Sequence, residues 1–344
     1  MGSEMCIRDR YSVMVAGCPH TFAWGGVHGA LEQYSGEGYY LMMDVASLYP
    51  SLMIRYNLHS RNIADPQKFV DIYHERLELK KKKDPLQAVL KIVLNSTYGV
   101  LKDKNNDLYD PLMSNKVCVY GQILLLDLIE HIEPYAQLIQ SNTDGILIKM
   151  PDGQDEEEWF NLIDDIAWEW EQRTGLTLEF DEYRKVFQKD VNNYIIVAPD
   201  GHIKSKGAYV KKLSNLDYGD FPIVNHALVE YMVKNVPVER FIHNCDELKE
   251  FQMVTKITSK YFTILHGDEP IKEKCIRVFA STRETDAGVK KVSIRTGKPE
   301  KIASSPEHCF MFNENMTDVR CPAYLDKDWY VELAKKRLKD FGVM

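Results

Sequence analysis

The chain has 344 residues, 44% of them hydrophobic and 27% charged, with a formal net charge of −8. That length holds one large domain or two to three modest ones, and the composition excludes a disordered or collagen-like chain. Seven cysteines without a Cys-x-x-Cys pair and ten histidines without ligand spacing give neither a disulfide framework nor a zinc site, so a reduced, cytoplasmic setting is expected. No apolar run approaches the roughly 18 residues that span a bilayer and no signal-peptide pattern opens the chain, so no membrane partner is expected.

The opening "MGSEMCIRDR" has no periodicity, and "MCIRDR" resembles translated sequencing-adapter sequence. Residues 1–11 are therefore set aside as a non-native leader, with the natural protein expected to start earlier. "GYYLMMDVASLYPSLMIRYNL" follows: Tyr39 to Met43 is a short apolar run of strand type ending in Asp44, and Pro50 suits the first turn of a helix carrying Leu52, Met53 and Tyr56. Asp44 thus stands at a strand end, where a buried carboxylate without a partner is costly.

"HERLELKKKKD" places Arg76 and Lys80 four apart on a helix, and Lys83-Asp84-Pro85 breaks it. In "DPLQAVLKIVLNSTYGVLKDK", Leu86, Val89, Leu90, Val93, Leu94 and Thr97 make one helical face, while Lys91, Asn95 and Tyr98 fall on roughly the opposite one. Two antiparallel helices joined near Pro85 would point all three cations, Arg76, Lys80 and Lys91, into one space. In "LIQSNTDGILIKM" two apolar stretches flank Asn142-Thr143-Asp144-Gly145, where Asp-Gly suits a tight hairpin turn because it tolerates positive φ. Asp144 and Asp44 on adjacent strand ends would repel; a divalent cation removes that repulsion, and oxygen ligands of this kind suit Mg²⁺.

Residues 151–187 hold 12 of the 51 acidic and 3 of the 43 basic residues, leaving the rest of the chain close to neutral. Trp159, Leu162, Ile163, Ile166 and Trp170 recur at helical spacing there, so the segment reads as an amphipathic helix with a solvated acidic face. Global acidity therefore does not exclude an anionic substrate. Beyond Lys212 come a helix-like stretch interrupted by Pro237, strand-like segments, and a closing amphipathic helix in "DKDWYVELAKKRLKDFGVM".

Three of these segments, in order, resemble the signatures of family B DNA polymerases: "DVASLYPS" their motif A, "KIVLNSTYG" their motif B and "NTDG" their motif C. "WGGVHG" (Trp24–Gly29) is similar to the glycine loop before the polymerase domain, and "NNYIIVAPDGHIKSKGAYV" to the segment that meets primer–template. The resemblance implies an α+β right-hand polymerase with an antiparallel-sheet palm, a short helical fingers insertion and a C-terminal thumb. Palm is then expected at 12–64 and 101–212, fingers at 65–100 and thumb at 213–344. It implies DNA-directed DNA synthesis from dNTPs on primer–template DNA, with replication accessory proteins as further partners and a phage-like source acting in the host cytoplasm.

The same resemblance implies roles. Asp44, Asp144 and the Val45 carbonyl would bind two Mg²⁺ ions, which Mn²⁺ can replace, and Lys91 would join the two aspartates in catalysis. Ser47, Leu48, Tyr49, Arg76, Lys80, Lys91, Asn95 and Tyr98 would bind the nucleotide, Tyr49 excluding a 2′-hydroxyl. Gly25, Gly26, Thr143, Tyr194, Lys204, Lys206 and Gly207 would contact DNA.

Two positions depart from the family. Asn142 replaces the first aspartate of motif C, keeping an acceptor oxygen but losing a charge, and Asn192 stands where a lysine is usual. Only 47 positions separate Asp44 from Lys91 and 49 separate Asn95 from Asp144, which leaves no room for the insertions of the protein-primed phage branch. With no exonuclease domain before Trp24, proofreading is not expected of this chain. The alternatives are a catalytically impaired polymerase-like DNA-binding protein, motivated by Asn142; a nuclease, which lacks further carboxylates beside Asp44; and a reverse-transcriptase or RNA-polymerase palm, whose double-aspartate hairpin "SNTDG" does not offer.

Overall fold

The structure is a computed structural model, and the residues it describes are 10–207, 209–210 and 219–344. They form two units, Met1–Leu31 with Glu37–Lys185 and Glu32–Gly36 with Val186–Met344. The class is α+β with antiparallel sheets.

The first unit is built from β1 (Arg10–Val15), β2 (Cys18–Ala23), β3 (Gly26–Ala30), β4 (Tyr34–Val45), α1 (Leu48–Arg55), α2 (Gln67–Lys81), α3 (Leu86–Val100), α4 (Pro111–Ile132), β5 (Gln137–Asn142), β6 (Gly145–Lys149), α5 (Glu156–Thr174) and β7 (Leu178–Asp190). Both β4 and β7 begin in one unit and end in the other. The strand order is β1-β2-β3-β5-β6-β4-β7, and the pairs β1–β2, β2–β3, β3–β5, β5–β6 and β4–β6 are antiparallel. The expected strand Tyr39–Met43 lies in β4 beside β6, and Leu41, Met43, Ile146 and Ile148 are fully buried. Each such side chain contributes roughly 1.5–3 kcal/mol by leaving water, so this pair of strands fixes the middle of the sheet.

Residues 1–9 of the expected leader lie outside the described residues. Its last two, Arg10 and Tyr11, open β1 and pair with Ala23 and Phe22. The β1–β2 turn takes the primed form that suits a twisted hairpin, with positive φ at Ala16 and Gly17. Asp155 caps α5, accepting from the N–H groups of Glu157 and Glu158 at 3.0 and 3.1 Å, and Gly175 ends it in the left-handed region. Trp159, Ile163 and Trp170 are buried as their spacing predicts, whereas Leu162 stays exposed.

Helix α4 escaped the sequence reading. At 22 residues it is the one helix among the described residues long and apolar enough to cross a membrane. Its apolar side is used inside the unit: Val117, Leu125, Leu128, Ile129 and Ile132 are buried in the core, and the Trp170 indole donates to the Leu124 carbonyl at 3.1 Å.

The second unit adds β8 (Asn193–Val197), β9 (Ile203–Lys206), α6 (Pro222–Lys234), α7 (Val238–Asn244), β10 (Met253–Lys256), β11 (Tyr261–His266), β12 (Glu269–Ile271), β13 (Cys275–Ala280), β14 (Val289–Ser293), β15 (Pro299–Lys301), β16 (Cys309–Met311) and α8 (Lys327–Asp340). Pro237 separates α6 from α7, as its missing N–H and fixed φ require. Strands β10-β13-β16 form one small sheet and β12-β11-β14-β15 another. Phe221, Phe251 and Tyr330 pack edge to face in the core, the Tyr330 hydroxyl donating to the Phe251 carbonyl and accepting from Ala280 N–H at 2.8 and 2.9 Å. The expected boundary at residues 212–213 lies outside the described residues.

Candidate active site

Asp44 ends up opposite Gly145 in the β4–β6 register, next to the turn that carries Asp144. The Val45 N–H donates to the Asp144 carbonyl at 2.6 Å, tying the two strand ends together one residue beyond Asp44. The turn itself differs from the expected Asp-Gly geometry. Thr143 takes the positive φ, 59°, while Gly145 pairs with Asn142 as the first residue of β6. Glycine is required at 145 for another reason: a Cβ there would run into the Asp44 carboxylate and the Met43 carbonyl oxygen. The motif's glycine makes room for the carboxylate of the neighbouring strand.

After Asp44 the chain breaks sharply into α1. Ala46 N–H donates to the Thr177 carbonyl at 2.8 Å, and Ser47 adopts left-handed φ and ψ of 55° and 51°. A non-glycine residue held there stores strain of about 1–3 kcal/mol. The Ser47 hydroxyl accepts from the Arg76 guanidinium of α2. Arg76 is 5% exposed, its Nε has no hydrogen-bond partner, and among the described residues no carboxylate pairs with it. A buried guanidinium without an acid is expensive and points to an anion from outside the chain.

Asp44, Val45, Ser47, Leu48, Tyr49, Arg76, Lys80, Lys91, Asn95 and Asp144 line one cleft of about 540 Å³. Ten residues chosen from four separate sequence segments therefore meet at one place. Lys80 is already paired, with Glu179 of β7. Lys91 is exposed and has no ion pair among the described residues.

Tyr98 completes the wall indirectly: its ring stacks on Tyr49 with centroids 4.1 Å apart and planes 16° from parallel. Burial pushes the Tyr98 phenol up to about 12, and burial with the neighbouring Tyr98, Cys118 and Asp144 charges raises Tyr49 further, so both stay neutral. The Tyr49 hydroxyl donates to the Gly25 carbonyl at 3.2 Å. The glycine turn between β2 and β3 is held on neighbouring carbonyls as well, Ala23 by Gln122 and Trp24 by Lys102, each at 2.6 Å. Gly26 meets the Asn142–Gly145 hairpin directly: Thr143 N–H donates to the Val27 carbonyl at 2.8 Å, and a Cβ on Gly26 would meet the Thr143 side chain. Gly25, Gly26 and Thr143 thus form one surface beside Asp144.

Tyr194, Lys204, Lys206 and Gly207 belong to the second unit, on the β8–β9 hairpin. Tyr194 faces Lys206 across the ladder, is 6% exposed, and has the Lys206 ammonium 5.8 Å from its ring centre. Gly207 holds φ of 104°, and a Cβ there would strike Asn193 and the Asn192 carbonyl.

Three residues escaped the sequence reading. Gln87 lines the cleft one turn before Lys91, extending the Lys91–Asn95 row at the same spacing, so its signal was present. Glu179 reaches Lys80 across 99 positions and had no local signal. His28 bridges the turn, its Nδ1 3.0 Å from Asn142 Oδ1 and its Nε2 3.5 Å from Thr143 Oγ1. The Asn142 oxygen is thereby engaged by His28.

Hard oxygen donors with cations opposite suit Mg²⁺ together with a polyphosphate. Among the described residues no group of three or more His, Cys, Asp or Glu side chains clusters as a metal site. The two carboxylates would therefore share an ion with oxygens from a substrate and water, which is how Mg²⁺ is usually held.

No family model matches the chain. It is 25% identical over 250 residues to DNA polymerase 1 of Sulfurisphaera ohwakuensis, an alignment covering 65% of this chain and 28% of that protein. With DNA polymerase 1 of Aeropyrum pernix it shares 25% over 219 residues, covering 52% and 22%. With the DNA polymerase of Acidianus bottle-shaped virus it shares 31% over 84 residues, covering 24% and 12%. The chain thus matches under a third of the length of these relatives. In fold it is similar to the solved family B DNA polymerase of the hyperthermophilic archaeon Pyrobaculum calidifontis, with a TM-score of 0.54 at 14% identity, over 96% of this chain and 47% of that one.

Proposed function

The chain is a distant homologue of family B DNA polymerases, archaeal and viral, matching part of the longer polymerase chains, and from that premise we propose that it extends a DNA primer with dNTPs as a template-directed DNA polymerase. The observation that carries the proposal is the cleft in which Asp44 and Asp144 share a wall with the acid-free, buried Arg76 and with Lys91. In this reading residues 12–64 and 101–212 are palm, 65–100 fingers and 213–344 thumb, and the protein works in the cytoplasm.

Asp44, Asp144 and the Val45 carbonyl would hold the metal, and Mg²⁺, or Mn²⁺ in its place, would when bound supply positive charge beside the primer 3′-hydroxyl and the pyrophosphate leaving group. Arg76 and Lys91 take the triphosphate oxygens, with Ser47 steering the guanidinium. Lys80 joins them by exchanging Glu179 for phosphate. The Tyr49 ring, backed by Tyr98 and anchored through its hydroxyl to Gly25, forms a floor under the sugar and leaves no space for a 2′-hydroxyl. Asn95 and Gln87 line the pocket on the side of α3. Gly25, Gly26 and Thr143 support the primer end, and Lys204 and Lys206 add sequence-independent phosphate contacts.

Primer extension with purified chain, labelled primer–template, dNTPs and Mg²⁺ tests the proposal. Extension is expected, abolished by chelation and reduced by ~10³-fold or more in Asp44→Asn and Asp144→Asn, the scale on which aligned electrostatic stabilisation acts. A wild-type chain that binds primer–template without extending it in Mg²⁺ or Mn²⁺ overturns the polymerase reading. A second reading then applies, a polymerase-like DNA-binding protein, favoured by the missing charge at Asn142 and its engagement by His28.

A further inference from the structure

The four-stranded sheet of the second unit carries positive charge and exposed apolar surface that none of the residues discussed above explains. Phe262 of β11 is 74% exposed, the highest among the large exposed hydrophobic residues, and Ile294, just after β14, is 62% exposed. They sit at the same end of the sheet: Tyr261 pairs with Ser293, and Ile294 N–H donates to the Lys260 carbonyl at 3.0 Å. The turn leaving β14 is closed by Gly297 N–H to the Ser293 carbonyl at 2.8 Å, and it presents Arg295 and Lys298, both exposed.

Most of the cations here form no ion pair, and Glu300 is the acid that stands opposite Lys291 in the β14–β15 register. Among the described residues Lys260, Lys290, Lys291, Arg295 and Lys298 form no ion pair, and Lys301 reaches Glu307 only at 3.9 Å. Glu300 is nearby but accepts from the Tyr261 hydroxyl at 3.3 Å, while the Lys291 ammonium lies 4.2 Å from the Tyr261 ring centre. Lys290 and Lys301 face each other directly in the β14–β15 register. Like charges opposite one another destabilise a ladder, and a bound polyanion would relieve that cost.

The geometry points to a binding site for single-stranded DNA on this sheet end, with the Phe262 ring as a stacking platform for a base and Lys260, Arg295 and Lys298 tracking the backbone phosphates. A bare aromatic face flanked by cations is the arrangement by which single strands are held without sequence preference, whereas bases inside a duplex are already stacked and cannot use it. Charge complementarity selects the polyanion, and the exposed ring selects the single strand. The site does not depend on the polymerase reading, because binding can be measured without synthesis.

The test is fluorescence anisotropy of the full chain with labelled oligo(dT), read across a salt series and repeated with a blunt duplex of the same length. Phe262→Ala is expected to weaken oligo(dT) binding about tenfold and leave duplex binding unchanged, with Phe262→Trp restoring it. Arg295→Gln with Lys298→Gln is expected to flatten the salt dependence of oligo(dT) binding by about one unit of log–log slope. A 5-iododeoxyuridine oligonucleotide is expected to photo-cross-link to Phe262. Unchanged oligo(dT) affinity in Phe262→Ala, or an equal loss for oligo(dT) and duplex, would overturn the site. Because Phe262 is so exposed, its truncation spares the core; a wild-type chain that binds oligo(dT) through Phe262 yet does not extend a primer would sink only the polymerase proposal.

Discussion

The two walls of the cleft are built differently. The acidic wall stands on β4 and β6, where Tyr39 to Met43 and Ile146 to Ile148 are buried. The basic wall stands on the α2–α3 hairpin, where the buried side chains are Phe69, Arg76 and Leu94. On α3 the expected apolar face is present but uncovered: Leu86, Val89 and Val93 are 47%, 54% and 42% exposed, and only Leu94 is buried. A helix pair with so few buried apolar contacts opens at a lower free energy than core strands do. The comparison teaches that the carboxylates are fixed by the core while the cations ride on an element free to adjust around a ligand.

The largest effect should come from disturbing the fixed wall. Gly145→Ala pushes a methyl group into the Asp44 carboxylate and is expected to lower primer extension by ~10²-fold, the penalty of misplacing a reacting group by about an ångström. Circular dichroism should show the fold retained. Equal activity would mean that the strand ends shift as readily as the helices, and the contrast between the walls would fail.

On the helical wall, Arg76→Gln removes the charge and keeps a shorter hydrogen-bonding side chain. The apparent KM for dNTP should rise about tenfold with a smaller change in kcat, as expected for one lost charge-assisted contact. Steady-state primer extension at varied dNTP separates the two; a pure kcat effect would move Arg76 to the fixed side of the comparison.

Outside the residues that line the cleft, Asp110 anchors the start of α4, accepting from Met113 N–H at 3.3 Å while gripping Arg61 at 2.8 and 2.9 Å. The Arg61 guanidinium and backbone N–H groups hold its carboxyl far below the usual range despite burial. A depressed folded-state value means stability that is present above the unfolded value of about 4 and lost as pH falls below it. Asp110→Asn should cost about 2 kcal/mol at neutral pH, combining a lost cap with a weakened pair, and should flatten the decline of Tm below about pH 4. Thermal melts across that range check the sign.

The smallest effect is a gain. Gly99 lies in α3, and a Cβ there meets nothing within 4 Å. Gly99→Ala should stabilise the hairpin by about 0.5–1 kcal/mol, visible as slower amide exchange on α3. Faster exchange would show that the hairpin's looseness has another cause.

Much of this site could be read from the chain because its parts are local patterns. Asp44 after an apolar run and before Pro50, Lys91 and Asn95 one turn apart, and Asp144 between two apolar stretches each announce an element and a position on it. The turn geometry was misread for a physical reason: Asp-Gly is compatible with positive φ, yet here Thr143 takes it and Gly145 serves a contact across the sheet. Helix α4 was passed over because exposed Leu112, Val119, Tyr120 and Ile123 blur the periodic signal of its buried side, although it is the longest helix among the described residues.

By itself, then, the sequence determined the elements that carry Asp44, Lys91 and Asp144 and which residues on them could carry chemistry, since hydrophobic period, proline position and charge spacing act over a few residues. Tertiary structure alone decided that Glu179 holds Lys80, that His28 occupies the Asn142 oxygen, that Arg76 is buried without an acid, and that the face of α3 stays uncovered. These depend on strand order and on which surfaces meet across tens of residues, and no local pattern encodes the neighbour that a side chain finds only after the sheet has assembled.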